Sequence, residues 1–259
     1  MEYLEPEDAR KKPGLRLALT TGVPGPWGEA AKSIFHVKAL QYLPVRQSAG
    51  EDNSALLEWT GFRNAPVAIM DDEPARAGWT DILHLAERLA PKPALIPKDV
   101  RERATMFGIA NEICGEEGLG WNRRHQLLAP MLSLPDAATN PALAMGRTLG
   151  VQYGWSPEAA ERANNRICQI LTFLAEQLSE QKKAGSAYLV GETLSAADLY
   201  WATFSAMIEP MAAELNPMPD ALRAAYSDQT PEVAAAVDPS LIAHRDFIYR
   251  KHLVLPLDF

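Results

Sequence analysis

The sequence predicts two domains, a small α/β domain followed by a larger all-helical one. Three observations carry this. From Leu15 to Leu89 short apolar strands alternate with amphipathic helices, the pattern of an α/β layer. Ala90-Pro91-Lys92-Pro93-Ala94-Leu95-Ile96-Pro97 then places three prolines in eight residues, the composition of a linker. Beyond it the apolar patterns have helical spacing. The boundaries read as a polar arm at 1–13, an α/β domain at 14–90, a linker at 91–98 and a helical domain at 99–259. At 259 residues the chain is long enough to bury two ordinary cores.

Leu15-Arg16-Leu17-Ala18-Leu19 reads as the first strand, ending at Thr20-Thr21. A loop holding Gly22, Pro24, Gly25, Pro26 and Gly28 gives way to a helix from about Glu29 to Gln41. Ala30, Ile34 and Val37, flanked by Ala31 and Phe35, form its buried face at 3.6 spacing. Pro44 stops it, and Val45-Arg46-Gln47 starts a second strand. Asp52 to Trp59 forms a short helix closed by Gly61. Pro66 directly precedes the apolar run Val67-Ala68-Ile69-Met70. A proline cannot donate to a ladder, so it belongs at a strand start, where a cis bond sets a tight turn. Asp71-Asp72-Glu73-Pro74 makes the next turn, a short fourth strand follows, and Thr80 to Leu89 is helical, with Ile82, Leu83, Leu85, Ala86 and Leu89 on its apolar side. The order strand–helix–strand–helix–strand–short strand–helix matches a thioredoxin-like domain.

In the second half, Asp99 to Glu117 carries Ala104, Phe107, Ala110 and Cys114 on one stripe. Ser156-Pro157 is a cap followed by proline at the first helical position, opening a helix with Ile167, Ile170, Leu171, Leu174 and Leu178 inside. Asp238-Pro239 repeats that signal for a last helix through His252, and Val233–Val237 makes a small packed helix. The most explicit signal lies between Val190 and Leu199. Ser195 is placed as an N-cap, Asp198 reaches back to the Ser195 N–H, and Leu194 and Leu199 form a hydrophobic staple. The run from Leu199 to Ile208 is apolar nearly all round, so its helix is expected inside the domain.

Hydrophobic content of 47% and charged content of 22% are those of a globular protein. A net charge of −8 argues against a nucleic-acid surface, which needs clustered Lys and Arg. Cys114 and Cys168 fall on or beside apolar stripes and read as reduced core thiols in a reducing compartment. The acidic N-terminus lacks a secretory pattern, and no run approaches the roughly 18 apolar residues of a membrane span, so the expected location is the cytoplasm, with no membrane partner. The five histidines show no ligand spacing, and no metal is expected.

Val190–Leu199 resembles the N-capping segment of the glutathione transferase superfamily, where a Ser/Thr-x-x-Asp box opens the central helix of the C-terminal domain. Ala65-Pro66 resembles the pair that opens that family's third strand with a cis proline. In outline the resemblance spans residues 15 to 255 and marks a divergent member. It implies an α/β thioredoxin-like N-terminal domain, an all-α C-terminal bundle, a homodimer, and glutathione as co-substrate. Such enzymes lower the thiol pKa with a hydroxyl or thiol donor near the end of the first strand, because donating to the thiolate favours it. A helix N-terminus there adds positive potential.

That region of this chain, Thr20 to Ala30, holds no Tyr, Ser or Cys, which leaves Thr21 and Thr20 as catalytic candidates or as ordinary strand-end hydroxyls. Glu29 would oppose thiolate formation if it faced the site. Ala65 with Pro66 would position the glutathione cysteinyl backbone through the main chain. Gly78-Trp79 aligns with the family's Glu/Asp-Ser pair, and Thr80, one residue on, could cap its helix and face a γ-glutamyl carboxylate. Trp121, Arg124 and His125, at the end of the first long helix and in the loop after it, could receive an acidic or aromatic electrophile, or form a solvated interhelix turn. Ser195 and Asp198 are structural. Two functions follow: an enzyme reacting glutathione thiolate with a small electrophile, or a non-catalytic binding or interaction protein on the same scaffold that has lost glutathione chemistry. The missing Tyr, Ser or Cys and the missing Glu-Ser pair favour the second, whereas the catalytic character of the family as a whole tips the expectation to the first, the enzyme.

Overall fold

A computed structural model describes residues 1–259. The chain forms two compact units. The first takes in Met1–Ile96 with Met211–Asp220 and Phe247–Phe259, the second Pro97–Pro210 with Ala221–Asp246.

The first unit contains α1 (Pro6–Ala9), β1 (Leu15–Thr20), α2 (Pro26–Val37), β2 (Leu43–Gln47), α3 (Ser54–Thr60), β3 (Val67–Met70) and α4 (Trp79–Leu89). The sheet order is β2-β1-β3, with β1 parallel to β2 and antiparallel to β3. Leu15 to Leu19 are all buried, Arg16 included, so the alternation by which the sequence marks β1 does not leave one of its faces in solvent. One face of the sheet closes over Ala9, Ala18, Val45, Leu56, Val67 and Ile69. On the other, α2 packs with α4, and a side chain on Gly28 would come within 3.2 Å of Leu19 Cδ2.

Several boundaries differ from the sequence reading for local reasons. α2 begins at Pro26, a residue preorganised for the first helical position, and ends at Val37. The segment 1–13 is pinned to the sheet: Leu4 N–H donates to Pro44 O and Arg46 N–H to Leu4 O, both at 2.9 Å, and Ala9 is fully buried. The expected fourth strand does not form. It shrinks to one bridge, Ala68 to Arg76, because Pro74 has no N–H and α4 starts soon after. Two polar residues of the α2 region are buried without a sequence signal. Glu29 pairs with Lys32 at 2.8 Å, and Lys38 pairs with Glu87 at 2.6 Å while donating to Ala90 O and Pro93 O.

The second unit is helical: α5 (Val100–Cys114), α6 (Leu119–Leu132), α7 (Ala144–Gln152), α8 (Pro157–Lys183), α9 (Ala196–Phe204), most of α10 (Asp220–Ser227), α11 (Pro231–Ala236) and the first part of α12 (Pro239–His252). The core stripe of α5 is Met106, Ile109, Ala110, Ile113 and Cys114, so Ala104, expected inside, is exposed. α8 has the cap and buried residues the sequence indicates, with Ser156 Oγ accepting from Ala159 N–H at 3.1 Å. α9 is buried along its whole length behind the Ser195–Asp198 capping box.

Candidate functional site

The C-terminal ends of β1 and β2 and the start of β3 lie at one end of the sheet, since Thr20 pairs with Gln47 and Ala18 with Val67. The Ala65-Pro66 bond there is cis. Ala65 precedes the ladder, and neither its N–H nor its C=O bonds within the chain. β3 runs away from this end and the chain returns through Arg76 opposite Ala68. That antiparallel register brings Gly78 about level with Pro66, so α4 opens at the same end. Gly78 is its N-cap, and no side chain caps it. Thr80 and Asp81 occupy its first turn, with Trp79 half-buried at the first position.

Gln47, absent from the sequence reading, organises this end. Its side chain is buried, accepts the Thr20 hydroxyl at 2.6 Å and donates to Ser48 O at 3.1 Å and Arg63 O at 3.3 Å. Its main-chain oxygen receives Thr21 N–H at 3.0 Å and Thr21 Oγ1 at 3.4 Å. The two threonines therefore differ. The hydrogen of Thr20 is spent on Gln47, whereas Thr21 Oγ1 makes only a long contact and can turn to another acceptor. Glu29 is held by Lys32 and lines a separate cavity beside residues 249–258. Its carboxyl is raised above its ordinary value by burial, with Lys32 opposing the rise.

Trp121, Arg124 and His125 lie on α6, which corrects their placement in a loop or interhelix turn. The chain breaks after Cys114 and restarts at Leu119. Gly118 passes so close to α5 that a Cβ would sit 2.8 Å from the Asn111 and Glu112 carbonyls. Trp121 Nε1 donates to Tyr153 O at 2.8 Å, the Trp121 and Tyr153 rings meet edge-on at 4.8 Å, and the Arg124 guanidinium lies 5.8 Å from the Tyr153 ring. His125 is buried, and its Nδ1 has no hydrogen-bond partner.

Burial pushes the His125 pKa below 6.5, with Glu117 opposing and Arg162 assisting. As pH falls through 6.5 the unfolded chain gains a proton that the folded state resists, so stability falls. The urea midpoint of the protein is therefore expected to drop more between pH 7.5 and 5.5 than that of His125→Gln. Equal slopes would remove His125 as the cause.

No family model matches the chain, and no curated protein matches it by sequence. Solved structures do. A rice glutathione transferase in complex with glutathione is similar at a TM-score of 0.60 and 17% identity, over 95% of this chain and 93% of the other. The β-etherase LigF from Sphingobium sp. strain SYK-6 is similar at 0.56 and 17%, over 89% and 99%. A glutathione S-transferase from Methylobacterium radiotolerans, in complex with glutathione sulfonate, is similar at 0.54 and 18%, over 89% and 93%. These likenesses, with the three-stranded mixed sheet and the helices that follow it, show that the chain has the fold of the glutathione S-transferases, a thioredoxin-like α/β domain followed by an all-helical one.

Proposed function

We propose that the chain is a divergent member of the glutathione transferase superfamily that binds glutathione at the sheet end described above and reacts its thiolate with a small electrophile. The observation that carries this is the main chain of Ala65, whose N–H and C=O are unengaged at the end of the sheet where Thr21 and the start of α4 also lie. The rice and Methylobacterium structures of the same fold hold glutathione or its sulfonate, which supports the same ligand here.

In this reading Ala65 N–H and C=O pair with the cysteinyl main chain. The first N–H groups of α4 and the Thr80 hydroxyl receive the γ-glutamyl carboxylate beside Trp79, and Asp81 receives its ammonium. The Thr21 hydroxyl donates to the sulfur and favours thiolate over thiol, while Thr20 acts only through its bond to Gln47. The thiol proton leaves to solvent. The sulfur then bonds to the electrophilic carbon as the leaving group departs with its electron pair. Trp121 and Arg124, clustered with Tyr153, and His125 beside them are assigned to an acidic or aromatic acceptor. The reading includes a homodimer and a cytoplasmic location, the latter in keeping with two cysteines, Cys114 and Cys168, that form no disulfide.

A second reading, a binding or interaction protein without catalysis, is favoured by the Thr20 hydroxyl being spent on Gln47, which leaves Thr21 as the only strand-end hydroxyl available to the sulfur. Calorimetry with glutathione and conjugation to chlorodinitrobenzene separate the two. The enzyme reading expects both heat and turnover, with Thr21→Val lowering kcat/KM about 100-fold at nearly unchanged glutathione affinity. Binding without turnover supports the second reading. No heat at millimolar glutathione overturns the assigned glutathione site.

A further inference from the structure

One residue spans the sheet end on which Ala65 and Thr21 lie. Gln47 ends β2 with Thr20 beside it on β1, and the β1–β3 register, counted two residues past Ala18 and Val67, brings Thr20 level with Ala65. The sheet order β2-β1-β3 therefore puts Gln47 and the segment Arg63–Ala65 on opposite sides of β1. The Gln47 side chain crosses between them. Its Oε1 accepts the Thr20 hydroxyl at 2.6 Å, and its Nε2 donates to Arg63 O at 3.3 Å on the far side. From Arg63 to Ala65 the main chain makes no other hydrogen bond. The Gln47 main-chain oxygen meanwhile receives Thr21 N–H at 3.0 Å. Gln47 thus holds Thr21 with its main chain and the approach to Ala65 with its side chain.

The amide has one way to sit. It is 6% exposed, a hydroxyl donor faces Oε1, and two carbonyl oxygens face Nε2, Arg63 O and, at 3.1 Å, Ser48 O. Ser48 is clamped in turn by Asn53, whose Oδ1 accepts Ser48 N–H and whose Nδ2 donates to Ser48 O, both at 2.9 Å. Glutamate at position 47 would keep the Thr20 bond and lose both donors; an aliphatic side chain would lose all three bonds.

We propose that Gln47 is the positioning residue of the glutathione site: it fixes the span from Ala65 to Thr21 so that a single cysteinyl residue of the ligand meets the first with its main chain and the second with its sulfur. This role rests on the assignment of glutathione to this end of the sheet. Main chain and sulfur of a cysteine are joined through one Cβ, so their partners must be spaced to match, and a misplacement of about 1 Å can cost about 100-fold in rate. Gln47 touches no reacting atom and acts through Thr21 and Ala65.

The full-length protein is titrated by calorimetry with S-methylglutathione, which has no thiol to ionise, and the ionisation of bound glutathione is followed against pH by the ultraviolet absorbance of its thiolate. Gln47→Met, similar in length but without the amide, is expected to weaken S-methylglutathione about tenfold, the worth of one lost hydrogen bond, and to raise the pH at which bound glutathione ionises. Thr20→Val frees the Gln47 oxygen. It is expected to weaken S-methylglutathione about threefold alone and no further in Gln47→Met, and it carries the test if Gln47→Met does not fold. A folded Gln47→Met with unchanged affinity or unchanged ionisation of the bound thiol overturns the positioning role and leaves the glutathione assignment standing, even if the variant is less stable. Unchanged affinity in Thr20→Val does the same. If the unaltered protein binds neither ligand, the assignment fails and the positioning role with it.

Discussion

Asp198→Ala is expected to cost the protein about 4 kcal/mol and to lower its Tm by roughly 10 °C. A lost helix cap alone costs about 1 kcal/mol, so the predicted size rests on the rest of the network. Asp198 is fully buried, and both carboxylate oxygens are used twice. Oδ1 accepts Leu189 N–H at 2.8 Å and faces His244 Nε2 at 2.9 Å. Oδ2 accepts Ser195 N–H and the Ser195 hydroxyl, each at 2.9 Å. Alanine would strand two amides, a hydroxyl and an imidazole in the dry interior, where each orphan costs about 1–3 kcal/mol. Asp198→Asn is expected to fare nearly as badly, since its NH₂ would face donors. Urea and thermal unfolding read the effect, and a loss of 1 kcal/mol or less would reduce Asp198 to an ordinary cap.

Arg123→Met is expected to cost a similar amount, about 4 kcal/mol, and to loosen the end of α10. Arg123 is 2% exposed and touches no carboxylate. Its guanidinium instead donates to Met207 O at 2.8 Å, to Gln126 Oε1 at 2.5 Å, and to Tyr226 O and Asp228 O at 3.2 and 3.1 Å. The carbonyls of the last turn of a helix have no partners within it and carry its negative end, which a buried cation satisfies. Burial lowers the guanidinium to about 10, still charged at neutral pH. Methionine would fill the volume and leave the carbonyls bare. Hydrogen exchange should quicken in residues 221–228, and Arg123→Lys should not restore protection, because one ammonium cannot reach the same spread of oxygens. Unchanged exchange there would contradict the assigned role.

These two residues mark what the sequence makes legible. The Ser195–Asp198 box is readable because cap, reciprocal partner and staple lie within six residues and each has a local signature. Its connection to His244, 46 positions away, is not. Arg123 lies in the same short run as Arg124 and looks no different from it. Only the fold brings carbonyls 84 to 105 residues distant around one guanidinium and not the other. Gln47 was equally silent, an ordinary polar strand end until Thr20 and Arg63 O meet it. The α5 stripe was misplaced because two apolar rows run along that helix, and the packing selects the one through Met106 and Ile113. Fold class survives such errors because it rests on periodicity and punctuation. A site does not, because its hydrogen bonds join residues that have no pattern in common.

The single Ala68–Arg76 bridge has a consequence for how the protein behaves in a crowd. β3 is the border of a three-stranded sheet, and its outer side is covered by the turn alone, with Ala68 N–H donating to Arg76 O at 2.8 Å, Arg76 N–H to Ala68 O at 2.9 Å and Glu73 N–H to Met70 O at 2.9 Å. An apolar strand of Val67, Ala68, Ile69 and Met70 at a sheet border invites another chain to pair with it wherever it is left uncovered. The turn that replaces the fourth strand guards that flank, placing Asp71, Asp72, Glu73, Pro74 and Arg76 beside it. Charge and a missing N–H oppose strand addition, so the turn does for solubility what a paired strand would do by occupying the edge.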